Sequence, residues 1–311
     1  MICRNSLVSR KELALGISLN AYLHHVGFKP FPWQEAVAKS GKKRIILNCG
    51  RQSGKSTFVS SKPCHTARFY PGSLSIVIAP TEDQANEDMM KIKDFIAHDS
   101  DYPELVRDGG GLLELSNRSR IKIVIATDKA ARGYSKPKCI MMDEASRIPD
   151  VVYKSGVRPM LTGNPDCDLY LLSTPYGQEG FFYNAWISEA GIWDKYEVRS
   201  PWDADIENPD RLVPAMPEEE FREDRATKGI HGFYSPRHAD YDEQNENLQE
   251  MGVREYRQEY CCEFVETNAA VFSYQDLHRL FDNKVKPMVQ HEGISSTSGA
   301  LQPRRIGGTF F

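Results

Sequence analysis

The chain has 311 residues, enough for about two domains at the usual ~150 residues each. Apolar residues make up 40% and glycine adds 22 more, close to the globular norm, which excludes a chain disordered throughout. No run approaches the ~18 consecutive apolar residues of a membrane span, the N-terminus lacks the basic-then-apolar pattern of a secretion signal, and seven scattered cysteines do not form a disulfide framework. A reducing cytoplasm is the expected setting. The formal net charge of −4 hides a segregation. Residues 1–70 hold 12 Lys/Arg against two acids (Glu12, Glu35), and residues 203–263 hold 17 acids against seven Lys/Arg. A basic first segment suits a polyanion, and the acidic stretch reads as a solvated charged surface.

In chain order, Lys11 to Val26 predicts one amphipathic helix, followed by the aromatic-proline turn Phe28–Trp33. Between 41 and 200, five short β-rich runs alternate with polar or helical stretches: Arg44–Asn48, Ser75–Ala79, Ile121–Ala126, Cys139–Met142 and Asp168–Ser173. Runs that are apolar on both faces and alternate with helices predict an α/β fold with a parallel sheet covered on both sides. Leu112–Leu115 and Ile121–Ile125, joined through Asn117, predict a local hairpin. Residues 203–265 are charged and helix-prone, with Glu218–Asp224 and Glu246–Glu263 the best helical stretches. Residues 294–300 resemble a linker.

Chemistry enters at the end of the first run, in Asn48-Cys-Gly-Arg-Gln-Ser-Gly-Lys-Ser-Thr57. A strand that breaks into a small-residue loop and then a helix aims backbone N–H groups and a helix N-terminus at one spot, which suits phosphate. Lys55 would reach the β- and γ-phosphates and Ser56 would ligate Mg²⁺. Cys49 stands where the usual phosphate-loop pattern has glycine. Asp143 and Glu144 close a buried strand, so Asp143 can hold Mg²⁺ and Glu144 can act as general base on the attacking water. Ligands of open α/β sheets gather at the carboxyl ends of the strands, which sends both motifs to one site. Ser173-Thr174-Pro175 ends another strand and can bond the γ-phosphate side. Gln34 either reads an adenine edge with its amide or caps a helix whose Trp33 plugs the core. Arg51 in the loop and Arg132, 11 residues before Asp143, compete as the source of extra positive charge at the γ-phosphate. Cys261-Cys262 and His24-His25 have no metal-ligand spacing.

Taken in order, Pro32-Trp33-Gln34, Cys49 to Ser56, Ile78-Ala-Pro-Thr81 with Gln84, Ile140 to Ala145 and Ser173-Thr174-Pro175 resemble the ATPase half of a tailed-phage terminase large subunit. In that family the phosphate loop opens with a small residue before Gly-Arg-Gln, as Cys49 does here. The resemblance implies an ASCE-type P-loop NTPase fold with a small helical lid, and Arg254 to Phe264 with Ala270-Val-Phe272 resembles that lid. The boundaries it implies are 1–40 for an N-terminal helix and adenine segment, 41–200 for the ATPase core, 201–275 for the lid, and 276–311 for a linker and the opening of a nuclease domain. It implies Gln34 at adenine and nucleotide contacts across Cys49, Gly50, Arg51, Gln52, Ser53, Gly54, Lys55, Ser56 and Thr57. It further implies Asp143 on Mg²⁺, Glu144 as catalytic base, Ser173, Thr174 and Pro175 as coupling motif, and Arg132 as a finger on a neighbouring subunit. The implied substrate is ATP, and the implied partners are double-stranded DNA, a portal protein, a terminase small subunit and a homo-oligomeric ring on the capsid, in the host cytoplasm with no membrane. Ile306–Phe311 resembles the opening strand of the nuclease, and with no carboxylate cluster after it, no nuclease activity is expected of this chain. A helicase-like ATPase and a nucleotide-binding prophage fragment without motor activity are the rival readings.

Overall fold

The computed structural model describes residues 9–127, 133–205, 208 and 210–265. Arg132, residues 270–272, the linker at 294–300 and Ile306–Phe311 lie outside the described residues.

The chain opens with α1 (Arg10–Ile17) and α2 (Leu19–His25) in place of the single helix expected over 11–26. The break is at Ser18, which is extended and accepts the Ala21 N–H on its hydroxyl at 3.1 Å. A serine that can cap a new helix outcompetes continuation of the old one. Next come α3 (Pro32–Lys39), β1 (Arg44–Cys49), α4 (Lys55–Phe69), β2 (Leu74–Ala79) and α5 (Glu82–Ala97). Thr81 caps α5 by accepting from Gln84 N, with Glu82 and Asp83 in its first turn. The expected hairpin is present as β4 (Leu112–Leu115) and β5 (Arg120–Ile125), and it is extended by β3 (Leu105–Gly109). β6 (Cys139–Met142) leads through a π-helical turn to α6 (Arg158–Gly163), β7 (Asp168–Ser173), α7 (Gly180–Ile187) and β8 (Asp194–Arg199). A ribbon of β9 (Trp202–Ala204) and β10 (Leu212–Pro214) follows, then α8 (Glu218–Thr227), β11 (Ile230–Tyr234), a 3-10 turn at Pro236–His238 and α9 (Tyr241–Glu259).

Among the described residues, nine strands form one sheet in the order β11-β8-β1-β7-β6-β2-β5-β4-β3. It is parallel from β11 to β5 and antiparallel from β5 through β4 to β3. Side chains alternate between two cores, as period-two geometry requires. Ile45, Leu47, Val77 and Leu172 pack under α2 to α5, whereas Ile46, Ile76, Ile78 and Leu171 pack under the π-helical turn, α6 and α7.

The segment expected as a helical lid is not helical throughout. It holds α8 and α9, but it also supplies β11, which pairs in parallel with β8 at the edge of the main sheet. Neither β8 nor β11 is among the strands expected from the sequence. Glu197 and Arg199 of β8 are buried because partners neutralise them, Arg225 at 2.9 Å from Glu197 and Asp203 beside Arg199.

Candidate functional site

β7 lies between β1 and β6 in the sheet, so the phosphate-loop strand and the acid-bearing strand are separated by one strand and end at the same level. Asn48 aligns with Ser173, and Met142 aligns with Leu171. The loops after β1, β6 and β7 therefore converge.

After Cys49 the chain forms a turn pinned from outside. Gly50 N donates to Val198 O at 2.7 Å and Arg51 N donates to Glu259 O at 2.6 Å. Gly50 is required by close approach: a Cβ there would lie 2.9 Å from His238 Cε1 and 3.1 Å from Tyr260 O. Gln52 (φ 57°) and Gly54 (φ 87°) then adopt left-handed conformations, and α4 starts at Lys55 without a side-chain cap. The N–H groups of its first turn have no intrahelical acceptor, so they and the helix dipole present a site for an anion. Lys55 is buried, with Nζ 3.3 Å from Glu144 Oε1. Burial opposes its charge, but Glu144 and Asp143 outweigh burial and hold its pKa above the ordinary lysine value.

Asp143 is fully buried; Oδ1 accepts from Glu144 N at 2.9 Å and Oδ2 from Gln84 Nε2 at 3.0 Å. Burial first and Glu144 second push its carboxyl above the ordinary range, while Lys55 and a hydrogen bond from Ser56 act the other way. A third acid stands beside it. Asp88 of α5 is buried; its Oδ1 accepts from Gln84 Nε2 at 3.3 Å, and its buried Oδ2 has no donor. Burial and the Asp143 charge push Asp88 upward as well. Two acids meet the buried Lys55, and Asp88, with Lys91 3.6 Å away, stands beside Asp143; a divalent cation would neutralise such a cluster.

Glu144 sits in the left-handed region at φ 48°, a strained setting for a non-glycine residue that turns its carboxylate back toward Lys55. Its Oε2 accepts from Ser173 Oγ at 3.3 Å. Ser173 Oγ is also 2.7 Å from Ser146 Oγ, and Ser146 Oγ donates to Thr174 O at 2.8 Å. The hydroxyl motif at the end of β7 therefore touches the acid pair directly, and Pro175 beyond it is buried.

A cleft of about 650 Å³ lies over this floor, lined by Gln52, Gly54, Lys55, Ser56 and Thr57, with Glu87 and Lys91 from α5 and Arg237 and Glu243 on the opposite wall. The side chains of other residues expected here do not line the cleft. Cys49 is wholly buried, burial pushes its thiol up to about 12, and Ser53 is buried beside it, so neither side chain reaches the cleft. Arg51 is exposed, outside the cleft lining and close to Tyr260. Gln34 is buried; its Oε1 accepts from Phe31 N at 2.8 Å, and its Nε2 donates to Gly54 O at 3.4 Å. It thus caps α3 and braces the phosphate loop, with Trp33 buried beside Phe58.

Sequence reasoning missed Asp88, Arg237 and His238. Asp88 is one helical turn beyond Gln84, a spacing that places both on one face of α5. His238 bonds Arg51 O at 2.7 Å. Burial lowers its pKa to about 4, so the ring is neutral, and since a carbonyl only accepts, Nε2 carries the proton. No local motif marks Arg237 or His238, which reach the loop only through tertiary folding.

A mostly parallel sheet flanked by helices, with the loop-to-helix anion site after β1 and an acid pair two strands away, defines the P-loop NTPase fold. Within that class, residues 46–279 match the family described as "Terminase large subunit, T4likevirus-type, N-terminal". The chain belongs to this terminase large-subunit family. It is 29% identical over 175 residues to the terminase large subunit of Thermus phage G20c, covering 50% of this chain and 36% of that protein. A similar match, at 28%, is to the terminase large subunit of Thermus virus P23-45. The matched region spans little more than a third of these curated relatives. Among solved structures, the ATPase domain of the Thermus phage P74-26 large terminase superposes with a TM-score of 0.54 at 23% identity, covering 83% of this chain and 99% of that one. The HK97 bacteriophage large terminase superposes at 0.58 and 16% identity, covering 80% and 55%. These likenesses show the fold.

Proposed function

We propose that this chain hydrolyses ATP and that the energy drives double-stranded viral DNA into a procapsid. The observation that carries the reading is the convergence of Lys55, Ser56, Asp143, Glu144 and Ser173 at the ends of β1, β6 and β7. In the resting site Lys55 and Glu144 neutralise each other. Triphosphate binding to the first-turn N–H groups of α4 would draw Lys55 onto phosphate oxygen and release Glu144. Glu144 then takes a proton from water as its oxygen bonds to the γ-phosphorus and the bond to ADP breaks. The hydrogen bond from Ser173 aligns the Glu144 carboxylate and carries its change of state along β7, the role we assign to Ser173, Thr174 and Pro175.

Mg²⁺ fits the residues present, since Asp143 and Ser56 adjoin each other and Asp88 Oδ2 lies orphaned next to them. Ser56 and Asp143 would hold the ion, which when bound offsets the phosphate charge. We assign adenine to the Gln34 side of the loop, where exchange of the 3.4 Å bond to Gly54 would free the amide. Arg132 is proposed to act on a neighbouring subunit, with Arg51 as its alternative. Family membership supports a homo-oligomeric ring working in the host cytoplasm with a portal protein and a terminase small subunit. No described helix is long and apolar enough to cross a membrane. The test is packaging itself: with ATP, portal-bearing procapsids and this protein, DNA should become protected from nuclease. Strand displacement of a duplex without packaging would favour a helicase-like activity.

A further inference from the structure

The cleft over the phosphate loop has a cation that the terminase reading does not use. Three lining residues carry positive charge, and acids engage two of them. Lys55 is held by Glu144 at 3.3 Å, and Lys91 lies 3.6 Å from Asp88 and 3.7 Å from Glu87. Arg237 is the third, and among the described residues no carboxylate pairs with it; its guanidinium carbon lies 5.9 Å from the centre of the Phe31 ring. An arginine left unpaired beside an anion site is a phosphate ligand in waiting, because its fork of donors matches phosphate oxygens.

Its position is set by the neighbouring residue. His238 donates to Arg51 O at 2.7 Å, its ring packs edge-on against Tyr260 at 5.2 Å, and Gly50 offers no side chain to hold it off. Pro236, at the first position of the turn, presets its backbone. The 3-10 turn is thereby clipped to the phosphate loop, and Arg237 stands over Gly54, where a Cβ would lie 3.7 Å from its Nε. The same turn joins β11 at the sheet edge to α9, whose last residue bonds Arg51 N through its carbonyl.

We propose that Arg237 is a phosphate ligand supplied by the 3-10 turn between β11 and α9, engaging the β- and γ-phosphates and tying that turn to the nucleotide state. This rests on the ATP reading above. The experiment is equilibrium binding of fluorescent ATP, ADP and AMP, with excess Mg²⁺, to the wild-type protein, Arg237→Ala, Arg237→Lys and Lys55→Ala. Arg237→Ala should weaken ATP at least about tenfold, ADP less, and AMP not at all, since one charge-assisted contact is lost. Arg237→Lys should recover part of the ATP affinity. The melting midpoint without nucleotide should fall only slightly, because Arg237 gives up its contact with the Phe31 ring and no ion pair. Equal weakening of all three nucleotides, or unchanged ATP affinity in Arg237→Ala while Lys55→Ala loses it, overturns the assignment. If Lys55→Ala also binds ATP like the wild type, the ATP reading itself fails.

Discussion

Replacing Glu144 with glutamine should separate binding from hydrolysis, and the structure gives both directions. In the resting site Glu144 Oε1 lies 3.3 Å from Lys55 Nζ, and the carboxylate side chain is 22% exposed. At an effective dielectric of about 20 such a pair attracts by roughly 5 kcal/mol before desolvation and side-chain entropy are counted. Partial exposure reduces the net value to about 1–2 kcal/mol. That is the free energy a triphosphate must offset to draw Lys55 away. Glu144→Gln removes the competing charge while its amide oxygen can still accept from Ser173, so ATP should bind about five- to thirtyfold more tightly at equilibrium. Hydrolysis should fall by about 10²–10⁴, the usual contribution of a positioned general base. Fluorescent-nucleotide titration measures the first effect and single-turnover phosphate release the second. Wild-type turnover in Glu144→Gln would refute the base assignment, and weaker ATP binding would refute the resting-state competition.

Other consequences are separately measurable. Gly50→Ala should destabilise the fold by about 1–3 kcal/mol in urea denaturation, because the added Cβ meets His238 and the Tyr260 carbonyl; an unchanged midpoint would mean that the clip yields freely. Ser173→Ala should keep ATP affinity but package fewer base pairs per ATP hydrolysed, and unaltered stoichiometry would remove Ser173 from coupling. Burial depresses His65 and His238 from 6.5 to about 4, so the folded state binds fewer protons than the unfolded state between those values. The stability from each neutral ring is complete above pH 6.5 and is lost as pH falls toward 4, on the order of 3 kcal/mol per ring. Urea midpoints of the wild type and His238→Gln should therefore converge as pH drops from 7.5 to 5, and a constant gap would contradict the assignment.

The central strands were legible because they are covered on both faces: β1, β2, β6 and β7 are apolar at nearly every position, and that alone marks a buried parallel sheet. The loop from Gly50 to Ser56 and the acids at 143–144 were legible as chemistry, since few environments place lysine and paired carboxylates at strand ends. β8 and β11 were not legible. Glu197 and Arg199 of β8 look solvent-bound until Arg225 and Asp203 are placed beside them, and β11 lies in a stretch whose acidity suggested helices on a surface. The break at Ser18 shows a local hydroxyl cap overriding an amphipathic period that runs through it. Asp88, Arg237 and His238 were hidden for a different reason. Their meaning depends on contacts with Asp143, the cleft and Arg51, which only the folded chain brings together.

The central claim is that Lys55, Asp143 and Glu144 form an ATP-hydrolysing centre. The most direct measurement is steady-state phosphate release from ATP and Mg²⁺, with double-stranded DNA and portal-bearing procapsids present, for the wild-type protein and Lys55→Ala. Lys55→Ala should retain the circular-dichroism spectrum of the wild type and release no phosphate above background, because the phosphates lose the cation that Glu144 holds in readiness. Phosphate release by Lys55→Ala at the wild-type rate would contradict the account.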